Sequence, residues 1–215
     1  MAVTGLSKRF GGESGVLESV ELTAQGGTLS LILGAPGSGK STLVRCLTGV
    51  YRADAGAVTY RLGRRGAVDI TTSDARTVAW LRTHHIASFD GLLAAAPRLP
   101  AAVAAARAAR CSRPSAIAAF GRFHIANLGP VPIGRLRTAD RLTVALASAL
   151  LAERPFVVLD EPERFADPAS LTTWLRRLTD HGAAVVTTAP PGSPLESIAT
   201  AIGELRRGRI EWRRP

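Results

Sequence analysis

The stretch of sequence that decides the fold of this chain is Gly34-Ala35-Pro36-Gly37-Ser38-Gly39-Lys40-Ser41. It satisfies the phosphate-loop pattern G-x-x-x-x-G-K-[ST] at every fixed position. The apolar residues 28–33 before it predict a short buried strand. Residues 41–50 after it predict a helix with Leu43, Leu47 and Val50 on one side. A strand, this loop and a helix in succession are the context in which the motif binds nucleotide phosphates.

Each residue type in the loop has a physical reason. Glycines allow consecutive backbone N–H groups to turn inward on the phosphates, and the N-terminus of the following helix adds its positive dipole end. Lys40 is expected to reach the β- and γ-phosphates, and the Ser41 hydroxyl to ligate Mg²⁺, with Thr42 beside it on the same turn. The alternative is a glycine-rich turn that only caps a helix. It is rejected because Lys8 and Lys40 are the only lysines of the chain, which makes a chance match rare.

A second acidic motif lies about 120 residues further on, where the apolar run 155–162 ends in two carboxylates. Such a run predicts a buried parallel strand that emerges at the ligand edge of a sheet. Asp160 is expected to hold Mg²⁺ through water, and Glu161 to polarise an attacking water as general base. A strand that ends in a solvated acidic turn is the plainer alternative, and the phosphate loop upstream favours the paired site.

Composition limits the class of protein. The chain has 215 residues, of which 46% are hydrophobic and 20% charged, enough for one well-buried core with a small subdomain attached. No apolar run reaches the roughly 18 residues that cross a bilayer, and the first ten residues lack the apolar region of a secretory signal. These features predict a cytoplasmic protein without a membrane span.

The remaining reactive and charged residues point to no further chemistry. Cys46 and Cys111 lie far apart and outside any zinc spacing, and the neighbours His84 and His85 point to different faces, which favours structural or surface roles. The net charge of +10 is nearly all arginine. Without a nucleic-acid motif or interleaved aromatic residues, it predicts an arginine-rich solvated surface that suits an anionic nucleotide, and no nucleic-acid partner.

The order of these segments resembles the ATP-binding domain of the ABC ATPase superfamily over nearly the whole chain, 1–215. The resemblance implies an α/β fold of the P-loop NTPase type. Its parts would be a RecA-like parallel sheet flanked by helices, an N-terminal antiparallel β flank and a small helical insert at about 92–135. We place the flank at residues 1–25 and about 57–71, with a turn at 64–66, and a closing hairpin at 202–210. The alanine-rich part of the insert is also compatible with plain helical filler.

Within that superfamily, residues 68–78, with Trp80-Leu81-Arg82 and later Pro97-Arg98, are similar to PhnL. PhnL is the ATP-binding subunit of the carbon–phosphorus lyase system for phosphonate breakdown. The resemblance therefore implies a component of such a lyase complex.

The resemblance also assigns roles by position. Phe10 matches the residue that stacks on adenine, although a lone phenylalanine near an N-terminus is as often simple packing. Asp160 and Glu161 match the magnesium and general-base carboxylates, and Asp167 matches the acidic residue of the loop after them. The cofactors implied are ATP and Mg²⁺.

Three positions depart from the family pattern. The signature loop, which should contain serine and glycines, is Leu136-Arg137-Thr138-Ala139-Asp140 here. The expected glutamine falls at Gly91, beside Asp90, and the expected histidine falls at Pro190. An arginine, added Cβ atoms and an aspartate change both the space and the charge at the signature, so it is not expected to bind ATP in the usual way.

These observations predict an ATP-binding subunit of ABC type with weak or partner-dependent hydrolysis. The expected partners are a second ATP-binding subunit or a lyase or permease complex, which together form a hetero-oligomer. The expected location is cytoplasmic, in a soluble complex or peripheral to a membrane. Two alternatives stay open, a nucleotide-binding regulatory module without turnover and the ATPase subunit of an ABC transporter.

Overall fold

The computed structural model describes residues 1–11, 15–89 and 97–213, and they form two β-sheets with helices between and around them. The strands are β1 Ala2–Lys8, β2 Leu17–Thr23, β3 Leu29–Leu33, β4 Ala55–Arg61, β5 Ala67–Asp69, β6 Ile86–Ala87, β7 Phe156–Asp160, β8 Ala184–Ala189, β9 Ala201–Arg206 and β10 Arg209–Trp212. The α-helices are α1 Lys40–Leu47, α2 Ala75–His84, α3 Ala101–Ala109, α4 Arg113–Arg122, α5 Thr138–Leu151 and α6 Pro168–Asp180.

The larger sheet has the order β10-β9-β3-β8-β7-β6, and only the β9–β10 hairpin in it is antiparallel. Strand β3 is buried along its whole length, because both faces of this sheet are covered. Leu29, Leu31 and Leu33 pack into one apolar core with α3, α5 and α6, whereas Ile32 packs into the other with α1 and the smaller sheet. The parallel order brings the carboxyl ends of β3, β7 and β8 to one edge.

The smaller sheet is antiparallel, with the order β2-β1-β4-β5. Its buried residues, among them Val3, Leu6 and Val58, join α1 in the second core. A short 3₁₀ turn, Gly63–Arg65, connects β4 and β5. The α/β fold, the β flank and the closing hairpin are therefore confirmed.

Helix α1 is shorter than the sequence predicts. It ends at Leu47, and Gly49 follows the C-cap in the left-handed region, with φ 70°. Glycine terminates helices at this position because it carries no Cβ penalty there. Leu43 and Leu47 are buried as expected, but the placement of Val50 on the same buried side is wrong, since Val50 lies beyond the helix and is 40% exposed.

The predicted insert contains α3 and α4, and the part of it at 92–96 lies outside the described residues, as do Asp90 and Gly91. The alanines of α3 are largely buried, because small side chains let α3 approach α4 and α5 closely. The Ser148 hydroxyl of α5 donates to the Ala105 carbonyl oxygen of α3 at 3.3 Å. The alanine-rich segment thus packs as part of the first core. The extent of the insert as a unit of its own stays a prediction.

None of the helices within the described ranges has the length and apolar character required to cross a membrane. Burial raises the pKa of the Cys46 thiol to about 11, so this cysteine stays protonated at neutral pH. The rings of His84 and His85 both pack against Trp80, which gives the histidine pair a structural setting.

Candidate nucleotide-binding site

The phosphate loop lies between β3 and α1, at the carboxyl edge of the parallel sheet. Gly37 and Gly39 have φ values of 80° and 102°, a region that glycine enters without steric cost. A Cβ atom on Gly39 would lie 3.0 Å from the Val16 carbonyl oxygen, and one on Gly34 would collide with the Ser38 hydroxyl. The glycines at these positions therefore allow the tight curl of the loop.

Lys40 and Ser38 give the inside of the loop its polar character. The Lys40 side chain is buried, and its Nζ donates to the carbonyl oxygens of Gly34 and Ala35 at 2.5 and 2.9 Å. The Ser38 Oγ is buried and has no hydrogen-bond partner within the described part of the chain. A buried ammonium and an unsatisfied hydroxyl beside a helix N-terminus fit an anionic ligand with several oxygens, such as a polyphosphate.

Asp160 and Glu161 are held by a residue that the sequence analysis did not identify. Strand β7 pairs with β8 so that Asp160 lies opposite Thr188. The Thr188 hydroxyl donates to Asp160 Oδ1 at 2.8 Å and accepts from the Glu161 backbone N–H at 3.1 Å. Two threonines at the end of the otherwise apolar strand β8 were the available signal. Thr188 thus fixes the end of the strand that carries both carboxylates.

Glu161 turns away from the direction of β7, because its backbone adopts φ 44° and ψ 55°. This left-handed conformation is rare for a residue with a side chain and costs about 1 kcal/mol or more. It sends the Glu161 carboxylate toward the phosphate loop, where Oε1 lies 3.2 Å from Lys40 Nζ. The other oxygen, Oε2, lies 3.3 Å from Arg164 Nη1.

A cavity of about 240 Å³ joins the two halves of the predicted site. Its lining includes Ser41, Asp160 and Glu161, together with Arg164 and Phe165. The structure therefore brings the predicted magnesium ligands and the predicted base to one cavity. Thr42, partly buried on the first turn of α1, is not part of this lining.

Phe10 lies outside that cavity, at the end of β1. Its ring is half-exposed and contacts Tyr51 edge to face, with 5.2 Å between the centroids. The β1–β2 connection that carries Phe10 also holds Val16, which abuts Gly39 of the phosphate loop. Lys8 Nζ lies over the ring, 5.2 Å from its centroid, and the role of Phe10 in base binding stays a prediction. Tyr51, its aromatic neighbour, was not identified from the sequence.

Glu163 and Pro190 lie in the segments that follow β7 and β8. The Ser193 hydroxyl donates to a Glu163 carboxylate oxygen, which ties the turn after β7 to the loop after β8. Pro190 directly follows β8 and is exposed. Proline offers no side-chain hydrogen bond, so this position supplies no polar contact to a ligand.

The segment at the predicted signature forms the start of α5. Arg137 is the N-cap residue, in an extended conformation with φ −63° and ψ 157°, and its side chain makes no capping hydrogen bond. Asp140 lies in the first helical turn. A carboxylate there is favoured by the helix dipole but repels a phosphate that approaches the same N-terminus.

Asp167, the acidic residue of the loop after β7, caps α6. Its carboxylate accepts a hydrogen bond from the Ser170 backbone N–H at 2.9 Å. This bond holds the pKa of Asp167 below its ordinary value. The carboxylate is therefore engaged in the structure of the loop.

A parallel sheet with a phosphate loop after β3, two carboxylates at the end of β7 and strand β8 between these two strands defines the class of ABC-type ATP-binding domains. A family model described as ABC transporter matches residues 17–164, and the chain belongs to this family.

Two curated relatives illustrate the membership. The sulfate/thiosulfate import ATP-binding protein CysA of Bordetella parapertussis is 32% identical over 238 residues, covering 99% of this chain and 63% of the relative. The chain therefore spans less than two thirds of that relative. The phosphonates import ATP-binding protein PhnC 1 of Natronomonas pharaonis is 31% identical over 183 residues, covering 83% of this chain and 76% of the relative.

Solved structures agree on the fold. The dimeric bacterial ABC transporter cassette MJ0796 superposes with a TM-score of 0.82 at 19% identity, covering 98% of this chain and 96% of that one. The same cassette in a post-hydrolysis state, bound to ADP and phosphate, gives a TM-score of 0.81 at 19% identity. The architecture is therefore that of an ABC ATPase cassette.

Proposed function

We propose that this chain is an ATP-binding subunit of ABC type that binds Mg-ATP at Gly34–Ser41 and hydrolyses it weakly or only beside a partner. The observation that carries the proposal is the contact of 3.2 Å between Lys40 Nζ and Glu161 Oε1. This contact supports a single site in which Lys40 binds phosphate and Glu161 acts as the base.

The residues divide the work by their chemistry. Lys40 and the backbone N–H groups of the loop hold the phosphates. Ser41 and Asp160, which share one cavity, are the candidate Mg²⁺ ligands, Asp160 through water. Glu161 accepts the proton of the attacking water, and Thr188 keeps both carboxylates in place. Bound Mg²⁺ supplies neutralisation of phosphate charge.

Weak ATP hydrolysis is expected from the residue that follows β8. Pro190 occupies the position where the family resemblance expects a histidine. Removing one polar contact to a transition state costs on the order of 100- to 1,000-fold in rate. The chain alone is therefore expected to hydrolyse ATP slowly. If this rate were zero, the chain would be the alternative, a nucleotide-binding module without turnover.

The N-terminus of α5 supports an asymmetric assembly. ATP sites in the superfamily that this chain resembles are shared between two chains, one giving the phosphate loop and the other the signature. Arg137, Thr138 and Ala139 replace the small residues expected there, so the chain would complete a partner's site poorly. A second, different ATP-binding subunit is the partner that this arrangement needs.

The complex itself has two candidates. The import functions of the relatives support a permease as partner, and a location peripheral to a membrane. The similarity of residues 68–78 to PhnL supports a carbon–phosphorus lyase complex instead. Copurification of the tagged chain with its coexpressed genomic neighbours distinguishes a permease from a lyase component.

Nucleotide binding is tested by equilibrium titration with Mg-ATP. Lys40→Ala removes the buried ammonium group that is proposed to donate to phosphate. We expect the affinity for Mg-ATP to fall on the order of 100-fold. Arg213→Ala, which removes an equal charge from an ion pair with Glu196, should stay within about twofold of the parent. A parent protein without affinity for ATP, or an affinity that Lys40→Ala leaves unchanged, would refute the proposed function.

A further inference from the structure

Arg164 is a charged residue of the site to which no role has yet been given. It ends the 3₁₀ turn Pro162–Arg164, three residues after Glu161. Its guanidinium lines the same cavity as Ser41 and Asp160, and its Nη1 lies 3.3 Å from Glu161 Oε2. The turn therefore gives the Glu161 carboxylate a second cationic neighbour besides Lys40.

The two cations that hold Glu161 differ in their freedom. Lys40 is 5% exposed and also donates to two carbonyl oxygens of its own loop. The Arg164 side chain is 69% exposed. An exposed ion pair of this kind contributes little free energy, so Arg164 can exchange its partner at low cost.

The chemistry of the guanidinium indicates which partner it would take. Guanidinium is planar, always charged, and presents donors in a fork that matches the oxygens of a phosphate. Glu161, with Arg164 removed from it, keeps Lys40 as a cationic neighbour at 3.2 Å. One movement of the Arg164 guanidinium would thus break its ion pair with Glu161 and add a contact to phosphate.

We propose that Arg164 distinguishes ATP from ADP: its guanidinium exchanges Glu161 for the terminal phosphate of ATP. This inference rests on the proposed function and adds a specificity residue to it. ADP lacks the phosphate that draws Arg164 away, so the Arg164–Glu161 pair persists with ADP and the base stays held. Arg164 thereby supplies, from the same chain, a polar contact that Pro190 does not.

The test is an equilibrium titration of the full chain with Mg-ATP and with Mg-ADP. Arg164→Gln is expected to lower the affinity for ATP about tenfold and to leave the affinity for ADP within about twofold. Arg164→Lys, which keeps the charge but loses the fork, should lie between the two. Arg177→Gln is the matched control, because Arg177 of α6 forms an exposed ion pair with Glu153 and does not line this cavity.

Equal changes in ATP and ADP affinity, or no change in either, would overturn the inference. That outcome is distinct from failure of the proposed function, in which the parent protein binds neither nucleotide. Thermal unfolding without nucleotide checks that Arg164→Gln is folded, and if it is not, Arg164→Lys alone decides the question through its ratio of ATP to ADP affinity.

Discussion

The phosphate loop and the segment before α5 both lead into the N-terminus of a helix, but they carry different side chains there. Both lead a chain segment into a helix N-terminus, where free N–H groups attract anions. At α1 the entry residue is Gly39, and the lysine that follows is buried inside the loop. At α5 the entry residue is Arg137, and the first turn carries Asp140.

The difference teaches that a helix N-terminus becomes a phosphate site only when the residues before it leave room. Glycine brings the backbone within reach of a ligand, whereas each Cβ keeps the ligand away. The loop 34–41 has three glycines, Gly34, Gly37 and Gly39, whereas the segment 137–140 has none. The N-terminus of α1 is therefore suited to bind a phosphate, and the N-terminus of α5 is not.

Among substitutions that test this difference, Gly39→Ala is expected to change the affinity for Mg-ATP the most. The added Cβ would meet the Val16 carbonyl oxygen at 3.0 Å, at a φ of 102° that alanine rarely adopts. Strain of this kind costs about 1–3 kcal/mol, so we expect the Mg-ATP affinity to fall about 10- to 100-fold. Titration calorimetry gives the affinity directly.

Gly66→Ala is the control for backbone strain alone. Gly66 has φ 83°, and a Cβ there would meet no atom within 4 Å. Because Gly66 also has ψ −150°, a region essentially restricted to glycine, this variant should lose about 1–3 kcal/mol of stability and keep its ATP affinity. Equal ATP affinity in both variants would show that the geometry of the loop does not decide binding.

A smaller effect, on stability, is expected from a substitution beside Asp160 and Glu161. Thr188→Val removes the hydroxyl that bridges Asp160 and the Glu161 backbone, and should lower the free energy of unfolding by about 1–3 kcal/mol. Thr187→Val is the matched control, because the Thr187 hydroxyl is buried without a hydrogen-bond partner among the described residues. That variant should be neutral or more stable, and urea unfolding measures both.

The reverse order, with Thr187→Val the more damaging of the two, would contradict the assignment of Thr188 as the residue that positions the carboxylates. An intermediate result, in which both variants lose the same stability, would also contradict it. Both substitutions exchange a hydroxyl for a methyl group within one strand, so differences in volume do not complicate the comparison.

The parts of the fold that local sequence determines were predictable. The apolar run before the loop forms β3, the run before Asp160 forms β7, and the chain ends in the expected hairpin. Helix α1 ends before Val50 because Gly49 terminates it, a local signal that apolar periodicity does not include. Periodicity alone extended the helix too far.

The contacts that complete the site depend on pairing between distant segments or on an unusual backbone conformation, and they could not be predicted. Thr188 meets Asp160 because β7 and β8 pair in one particular register. Tyr51 meets Phe10 across 40 residues of sequence. Arg164 turns back to Glu161 because the backbone of Glu161 is left-handed, a conformation that no propensity assigns to glutamate.

The central claim, a working phosphate loop combined with a signature that cannot serve a second copy, is tested most directly by sedimentation velocity with Mg-ATP. Glu161→Gln is used to stop hydrolysis, alone and combined with Arg137→Ser, Thr138→Gly, Ala139→Gly and Asp140→Gln. We predict that Glu161→Gln binds ATP and stays monomeric, while the combined variant forms an ATP-dependent dimer. A dimer of Glu161→Gln with its own signature intact would contradict the account.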